Sequence, residues 1–239
     1  MSPKVTTALA AAFLLVAPLA SHAALANYSQ DFEALAQASP TALGADGWKV
    51  FGNVFSPDHS VYYYGYGPFP APNNAGGFCG IDFTPEPGHA AQDLVVYSDY
   101  NNGDHGAGNQ IEANVFQEQT VDAADVGSSW TFRFDAKLGN LVAPTTALAF
   151  IKTLNPAAGW AMTNFITVDM TAIPSTWNAY SLTIAIDPSL AGQILQFGFA
   201  NTCTSYNPSG VFYDNVSFRK DVPVSTTHTS WGRVKALFR

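Results

Sequence analysis

The sequence predicts an all-β protein that forms a two-sheet antiparallel β-sandwich, or jelly roll. Helical periodicity is almost absent, while short apolar or alternating runs recur between clusters of Gly, Pro, Asn and Asp. Charged residues make up 12% of the chain and aromatic residues 13%, a balance that suits sheets with large packed faces. The length left after a leader fits one domain of this class.

The strands are predicted in chain order from these runs. They cover 28–33, 47–55, 92–98, 109–119, 129–138, 146–152, 162–170, 176–186, 193–201 and 210–219. The connections 121–127 and 186–192 are expected to hold single helical turns, and 33–40 is expected to form one short helix. Antiparallel strands at this spacing favour a sandwich over a parallel α/β sheet.

The two ends of the chain have a different composition from the body. Residues 1–23 combine Lys4, an apolar run and the small-residue site Ser21-His22-Ala23, which predicts a signal peptide and a secreted or cell-surface protein. The predicted sandwich domain spans 24–220. Residues 221–239 are interpreted as a linker and a short basic amphipathic tail, with a frayed terminus as the alternative.

The net charge of −8 limits the classes of partner. Between residues 24 and 218 the basic residues are Lys49, Arg133, Lys137 and Lys152. An acidic body repels phosphate backbones, so we expect no nucleic-acid partner, and no segment after the signal is long enough to span a membrane. The sequence does not indicate the oligomeric state.

The two cysteines, Cys79 and Cys203, are predicted to form a disulfide if the protein is secreted. Such a bond closes a long loop and would stabilise by on the order of 4 kcal/mol. Two separately buried thiols are the alternative, because sequence spacing does not show that the side chains meet.

Two long segments, 56–91 and 98–110, are interpreted as loops and are candidates for ligand contact. The first is rich in tyrosine and the second in polar residues, where Asp99, Asp104 and His105 are interpreted as a solvated cluster rather than a metal site. The candidate aromatic platforms are Tyr62, Tyr64, Tyr66, Tyr97, Tyr100 and Trp160. The alternative is that the tyrosines cover the end of the core. Trp48, Trp130 and Trp177 fall within strand patterns and are predicted to be core residues.

Gln110, Glu112 and Asn114 share one face of a predicted strand, with Glu118 further along it. This row is the candidate set of hydrogen-bonding groups for a ligand. Strict alternation over 210–218 would also place Asp214 on the same, more apolar face as Val216 and Phe218. A carboxylate there must be neutralised, paired or bound to a cation.

Several segments, taken together, resemble the galactose-binding-like jelly-roll domains that include many bacterial carbohydrate-binding modules. They are QDFEAL (30–35), DGW (46–48), VFQEQTVDAADVGSSWTFRFDAK (115–137), STWNAYSLTI (175–184) and LQFGFANTCTSYNPSGVFYDNVSF (195–218). The chain is also similar to secreted bacterial proteins with an exosortase sorting tail, but it lacks their Pro-Glu-Pro motif and terminal apolar helix.

The resemblance implies a structural calcium ion between the first and last strands. Its ligands would be Glu33 and Asp214, with Asp31 as a third candidate, because calcium binds six to eight hard oxygen atoms. The alternative is that Asp214 accepts backbone hydrogen bonds or pairs with a basic residue.

The resemblance also implies non-catalytic binding of a polysaccharide or other glycan. The alternatives are a polysaccharide-active hydrolase or lyase on the same sandwich, and a surface or matrix structural protein. Common enzyme signatures are missing from the sequence. Cleavage after Ser21 would leave His22 at the N-terminus, where an amine and a ring nitrogen chelate copper; this is the least favoured alternative.

Overall fold

A computed structural model describes residues 23–74, 76–86 and 89–222 of the chain. The predicted signal peptide and C-terminal tail therefore lie almost entirely outside the described residues. No helix in the described part is long and apolar enough to cross a membrane.

The described residues form two antiparallel six-stranded sheets, which confirms the predicted sandwich. The strands are β1 (Tyr28–Gln30), β2 (Lys49–Phe55), β3 (Tyr62–Pro70), β4 (Cys79–Phe83), β5 (Gln92–Val96), β6 (Gln110–Thr120), β7 (Ser129–Leu138), β8 (Thr146–Asn155), β9 (Ala161–Asp169), β10 (Asn178–Ala185), β11 (Ile194–Cys203) and β12 (Val211–Lys220). Sheet A has the order β10-β7-β12-β5-β4, with β1 pairing to β12, and sheet B has the order β3-β2-β6-β11-β8-β9.

The core lies between the sheets and is dominated by aromatic rings. Sheet B contributes Phe197 and Phe199 from β11, which stack on Phe218 and Tyr213 of β12 in sheet A at centroid distances of 4.4 and 3.6 Å. Such pairs contribute about 0.5–1.5 kcal/mol each beyond their buried area. Alternate residues of β11 therefore face the core, and Gln196, Gly198 and Ala200 face outward.

All the predicted strands are present within a few residues, but β3 and β4 were missed inside the predicted loop 56–91. The β3 sequence, YYYGYGPFP, contains two prolines and two glycines and has no alternation, so it does not read as a strand. It is an edge strand, where a proline is tolerated because one side of the ladder is unpaired.

The prediction for helices was partly wrong. The expected single turns are present as 3₁₀ helices at Ala123–Asp125 and Pro188–Leu190. The expected helix at 33–40 is a series of turns, and a four-residue helix, α1, follows at Ala42–Ala45. Phe32 has a φ of +60°, outside the right-handed helical region, and the Gln92 side-chain amide donates to the carbonyls of Phe32, Glu33 and Leu35, so these contacts hold the segment in turns.

A β-bulge in β12 overturns the predicted alternation around Asp214. The register to β7 shifts between Asp214 and Ser217, and Asn215 adopts a φ of +50°. Asparagine tolerates this left-handed conformation better than most residues. Tyr213 and Val216 consequently both face the core, so Asp214 lies on the opposite face from Val216 and Phe218.

Two other core predictions need correction. Trp48 and Trp130 are buried as predicted, but Trp177 lies partly exposed and stacks on the His89 ring at 4.4 Å. Cys79 and Cys203 are free and buried, so the predicted disulfide is absent from this structure. Cys79 lies in sheet A and Cys203 in sheet B, and their thiols donate to the carbonyls of Pro72 and Asn207 at 3.3 and 3.0 Å.

Candidate functional site

A groove of about 590 Å³ crosses the outer face of sheet B. Its floor comes from neighbouring strands, its first wall from β3, and its second wall from the turn between β8 and β9. The lining residues are Phe51, Asn53, Tyr62, Gly67, Pro68, Phe116, Glu118, Lys152, Leu154, Trp160 and Gln196. The volume lies within the range of small-molecule pockets.

The two walls carry the exposed aromatic rings. Trp160 is 59% exposed and Tyr62 54% exposed. The turn that presents Trp160 has the sequence NPAAGW, where Asn155 caps a 3₁₀ turn and Gly159 has a φ of +65°. The local sequence therefore sets the turn that places the indole ring at the rim of the groove.

Gly198 lies in sheet B beside the apolar part of the floor, to which Phe51, Phe116 and Leu154 contribute. Gly198 pairs with Phe116 on β6 and with Phe150 on β8, and both phenyl rings are almost completely buried on the outer face of the sheet. A Cβ atom at Gly198 would lie 2.7 Å from the Phe116 Cα. Glycine is therefore required for the close approach of β11 to the backbone of β6 at Val115 and Phe116.

The polar part of the floor is a row of three side chains across three strands. Glu118 on β6 pairs with Gln196 on β11, which pairs in turn with Lys152 on β8. Glu118 accepts from Lys49 Nζ at 2.8 Å and from Gln196 Nε2 at 2.7 Å. The Lys152 ammonium lies 4.7 Å from the centroid of the Phe150 ring, and its pKa is lowered by burial.

The candidate hydrogen-bonding residues share the predicted face of β6, but protein partners occupy them. Glu112 Oε1 accepts from Asn53 Nδ2 at 2.8 Å and from Asn114 Nδ2 at 2.9 Å. Gln110 donates to the Pro57 carbonyl at 2.8 Å and holds the β2–β3 connection. These residues support the groove from one side rather than line it.

The candidate aromatic residues separate into three places. Tyr62 and Trp160 line the groove. Tyr64 and Tyr66 point to the segment 98–110 and donate to Asp104 and Asp99 at 2.6 and 2.8 Å, and this contact raises the pKa of the Tyr64 hydroxyl.

The other two candidates lie away from the groove. Tyr97 lines a separate depression on sheet A, and burial raises its pKa to about 12. The Tyr100 hydroxyl contacts Ser209 Oγ at 2.5 Å.

The polar segment 98–110 is not the solvated cluster that the sequence indicated. Its 3₁₀ helix, Gly103–Ala107, buries His105 completely, and His105 Nε2 lies 3.1 Å from Ser98 Oγ. Burial lowers the pKa of His105. Asp99 is 6% exposed and accepts from Tyr66, so this segment covers one end of the sandwich.

The carboxylates expected to bind calcium each have other partners. Glu33 Oε1 accepts from the Gln92 backbone amide at 2.5 Å, while Asp31 is exposed and accepts from the Glu33 amide at 3.3 Å. Asp214 is 1% exposed and accepts from the Asn215 amide at 2.6 Å and from His89 Nδ1 at 3.3 Å.

No group of three or more His, Cys, Asp or Glu side chains in the described residues has a metal-binding arrangement. Glu33, Asp214 and Asp31 are not grouped as a calcium cage in the described residues, and N–H donors contact both oxygens of Asp214 and one oxygen each of Glu33 and Asp31. The calcium site stays a prediction from the resemblance.

Sequence reasoning missed most of the groove floor. Phe51, Asn53, Phe116, Lys152 and Gln196 lie on four different strands, and only the strand order brings them together. The available signal was the outward face of each strand: Gln196 and Gly198 alternate with buried Leu195, Phe197 and Phe199. That alternation identifies the face, but not the neighbouring strand.

No protein-family model matches the chain, and comparison with curated proteins finds no match. Several similar solved structures contain carbohydrate-binding modules, the family that the sequence motifs resemble. One, from the β-sandwich superfamily, is 14% identical with a TM-score of 0.43, over 79% of this chain and 62% of that one.

Other similar structures are of different kinds. The enzymatically active domain of bacteriophage CBA120 tailspike protein 4 is 16% identical with a TM-score of 0.46, over 78% of this chain and 21% of that one. The Stig cyclase Fisc from Fischerella sp. TAU is 13% identical with a TM-score of 0.42, over 83% and 90%. Because these values are low, the fold is assigned from the strand pairing and the site from its own geometry.

Proposed function

We propose that this protein binds a polysaccharide in the groove on sheet B and acts outside the cell, where its predicted signal peptide would direct it. The observation that carries the proposal is the pairing of two exposed aromatic rings, Tyr62 and Trp160, across a floor with polar side chains. Aromatic rings pack against the C–H faces of sugars, and a few fixed polar groups orient the hydroxyls.

The acids of β6 favour binding over hydrolysis. Glu118 lines the groove, and Glu112 lies six residues away on the same face of the same strand. At about 3.3 Å per residue this separates the two by roughly 20 Å. Glycoside hydrolysis requires two carboxyl groups about 5–9.5 Å apart. These two acids therefore do not form a catalytic pair.

A glycan array with the purified protein tests the proposal, with Trp160→Ala and Tyr62→Ala measured beside it. Both rings are more than half exposed, so we expect truncation to remove binding while the melting temperature stays within about 2 °C. The control is Phe83→Ala, an equally exposed ring at the end of β4 in sheet A, which should bind as the unchanged protein does. No binding to any glycan by the unchanged protein would overturn the proposal.

A further inference from the structure

An apolar surface continues the groove toward the edge of sheet B. It consists of Trp160 in the turn before β9 and of Met162 and Phe165 on β9, which are 59, 56 and 46% exposed. Met162 and Phe165 pair with Leu154 and Lys152 on β8, and both of these partners line the groove. A methionine has no flat ring on which a sugar could stack, so this surface, the β9 shelf, suits the apolar side chains of a polypeptide.

The chain leaves the described sandwich at the end where the β9 shelf begins. The Asp221 amide donates to the Ser129 carbonyl at 2.8 Å, at the start of β7. A short connection joins this point to the end of β6 in sheet B. Ile194 of β11 pairs with the last residue of β6 and with Leu154 near the end of β8, so the turn that carries Trp160 lies at the same end of the molecule.

The part of the sequence that follows the described residues, the tail 223–239, is long enough to reach this shelf. Packed sheets lie about 10 Å apart and neighbouring strands about 4.8 Å apart, so the path around this end from β12 to β9 is roughly 25 Å. Nine residues lead from Val222 to Trp231, and an extended chain of that length spans up to about 30 Å. Trp231 and the residues after it are therefore within reach of the β9 shelf.

The composition of the tail complements both the shelf and the body of the protein. Its apolar residues fall on one face at helical spacing, with basic residues beside them: Trp231, Val234, Leu237 and Phe238, and Arg233, Lys235 and Arg239. All 18 acidic residues of the chain lie between residues 31 and 221, and the tail has none. Asp187 is exposed in the connection before β11, at the end that the tail has to pass, and hydrogen bonds from Ser189 lower its pKa. Opposite charge therefore favours contact between the tail and the body.

We propose that the tail 223–239 folds back within its own chain and packs Trp231 and its other apolar side chains on the β9 shelf, beside Trp160. Its basic residues then face the acidic body and the solvent. A docked tail competes with any ligand that stacks on Trp160, so it restricts access to one wall of the groove. This inference goes beyond the proposed function and does not depend on it, because the tail can pack on the shelf whether or not the groove binds a glycan.

Limited trypsin digestion of the full mature chain tests the docking, with mass spectrometry following cleavage after Arg233 and Lys235. A docked segment is cleaved only when it detaches, so the cleavage rate reports the detached fraction. Met162→Ser and Phe165→Ser each remove apolar surface from the shelf and should speed this cleavage about tenfold. The matched control is Phe83→Ser, which changes a similarly exposed ring on sheet A and should leave the rate as it is.

An internal cleavage site separates detachment of the tail from unfolding of the sandwich. Arg133 lies within β7, so trypsin cuts after it only when the sandwich opens. The rate of that cut should be the same in the unchanged protein and in the three variants. Equal rates of tail cleavage in the unchanged protein and in both shelf variants would overturn the proposal.

Chemical cross-linking of the full chain locates the docked tail. A short amine-to-amine reagent should join Lys235 to Lys152 or Lys49, the two lysines on the outer face of sheet B, within one monomer. Phe165→Ser should reduce the yield of these links. Links that form only between two copies of the chain would overturn folding back within one chain.

Trp231→Ala separates this inference from the glycan proposal. It should speed tail cleavage about tenfold and tighten the binding of a glycan found on the array, because the tail no longer competes for Trp160. Faster cleavage in a protein that binds no glycan would support the docking and overturn the proposed function. Unchanged cleavage in a protein that binds a glycan through Trp160 would overturn the docking and leave the proposed function in place.

Discussion

Asp82 and Asp93 face each other in register on β4 and β5, on the outer face of sheet A. Asp214 and Asp135 form a second register pair on β12 and β7. The strands β5 and β12 are neighbours, so the four aspartates continue one row across the sheet. Asp93 is the most perturbed of them: it is 4% exposed, and burial together with the charge of Asp82 raises its pKa to about 7.

The raised pKa of Asp93 predicts that stability falls as the pH rises. The native state holds the proton up to about pH 7, whereas the unfolded chain releases it near pH 4, so stability decreases across that interval. Asp93→Asn removes this contribution and should stabilise the protein at pH 8, by an amount on the order of a few kcal/mol, with little effect at pH 4.

Urea unfolding of the unchanged protein and of Asp93→Asn, from pH 4 to pH 8, measures the difference between their free energies of unfolding. Exposed carboxylates whose pKa values are lowered, such as Asp169 and Asp187, make stability rise with pH. Both proteins contain them, so their contribution cancels when the two free energies of unfolding are subtracted. A difference between the two proteins that does not change with pH would contradict the prediction.

The calcium hypothesis predicts that Asp214→Ala abolishes, and Glu33→Gln weakens, any increase in melting temperature caused by calcium. An ion at about a hundred times its dissociation constant adds about 2.7 kcal/mol. His89 and Asn215 donate to Asp214, and Gln92 donates to one oxygen of Glu33, so calcium would compete with these donors for the carboxylates.

Melting curves with calcium and with a chelator, together with elemental analysis, decide the question. An unchanged midpoint and no bound calcium would leave hydrogen bonding as the role of both carboxylates.

Gly198→Ala should destabilise the protein by about 1–3 kcal/mol or more, because a Cβ atom there would meet Phe116. The substitution should also displace Phe116, which lines the groove, and weaken glycan binding there.

Gly103→Ala is the matched control. A Cβ at Gly103 meets nothing within 4 Å, and its φ is not positive. Urea unfolding compares the two variants with the unchanged protein. Equal stability of all three would show that the close contact at Gly198 relaxes without cost.

The two cysteines should react as thiols in the denatured protein purified without reductant. Cys79 and Cys203 are free, and burial raises the pKa of both. In the folded protein, where both are buried, reaction with a thiol reagent should be slow, because the thiolate is the reactive form. Titration in denaturant that finds no free thiol would instead support the disulfide predicted from the sequence.

The sequence by itself determined the fold class and most of the strands. Alternation and turn residues are local signals, and they located runs such as Ser129–Leu138 correctly. The same signals identified the outward face of β6 and the exposed Trp160. They failed for β3, since the edge of a sheet tolerates prolines that interrupt the pattern.

Only the tertiary structure decided which residues form the groove. Lys152 and Gln196 are separated by 44 positions in the chain, and they meet because β8 and β11 are neighbours in sheet B. Asp214 was placed on the wrong face because the bulge at Asn215 adds one residue and reverses the alternation that follows. Strand order and bulges depend on packing between distant segments, so a local pattern does not contain them.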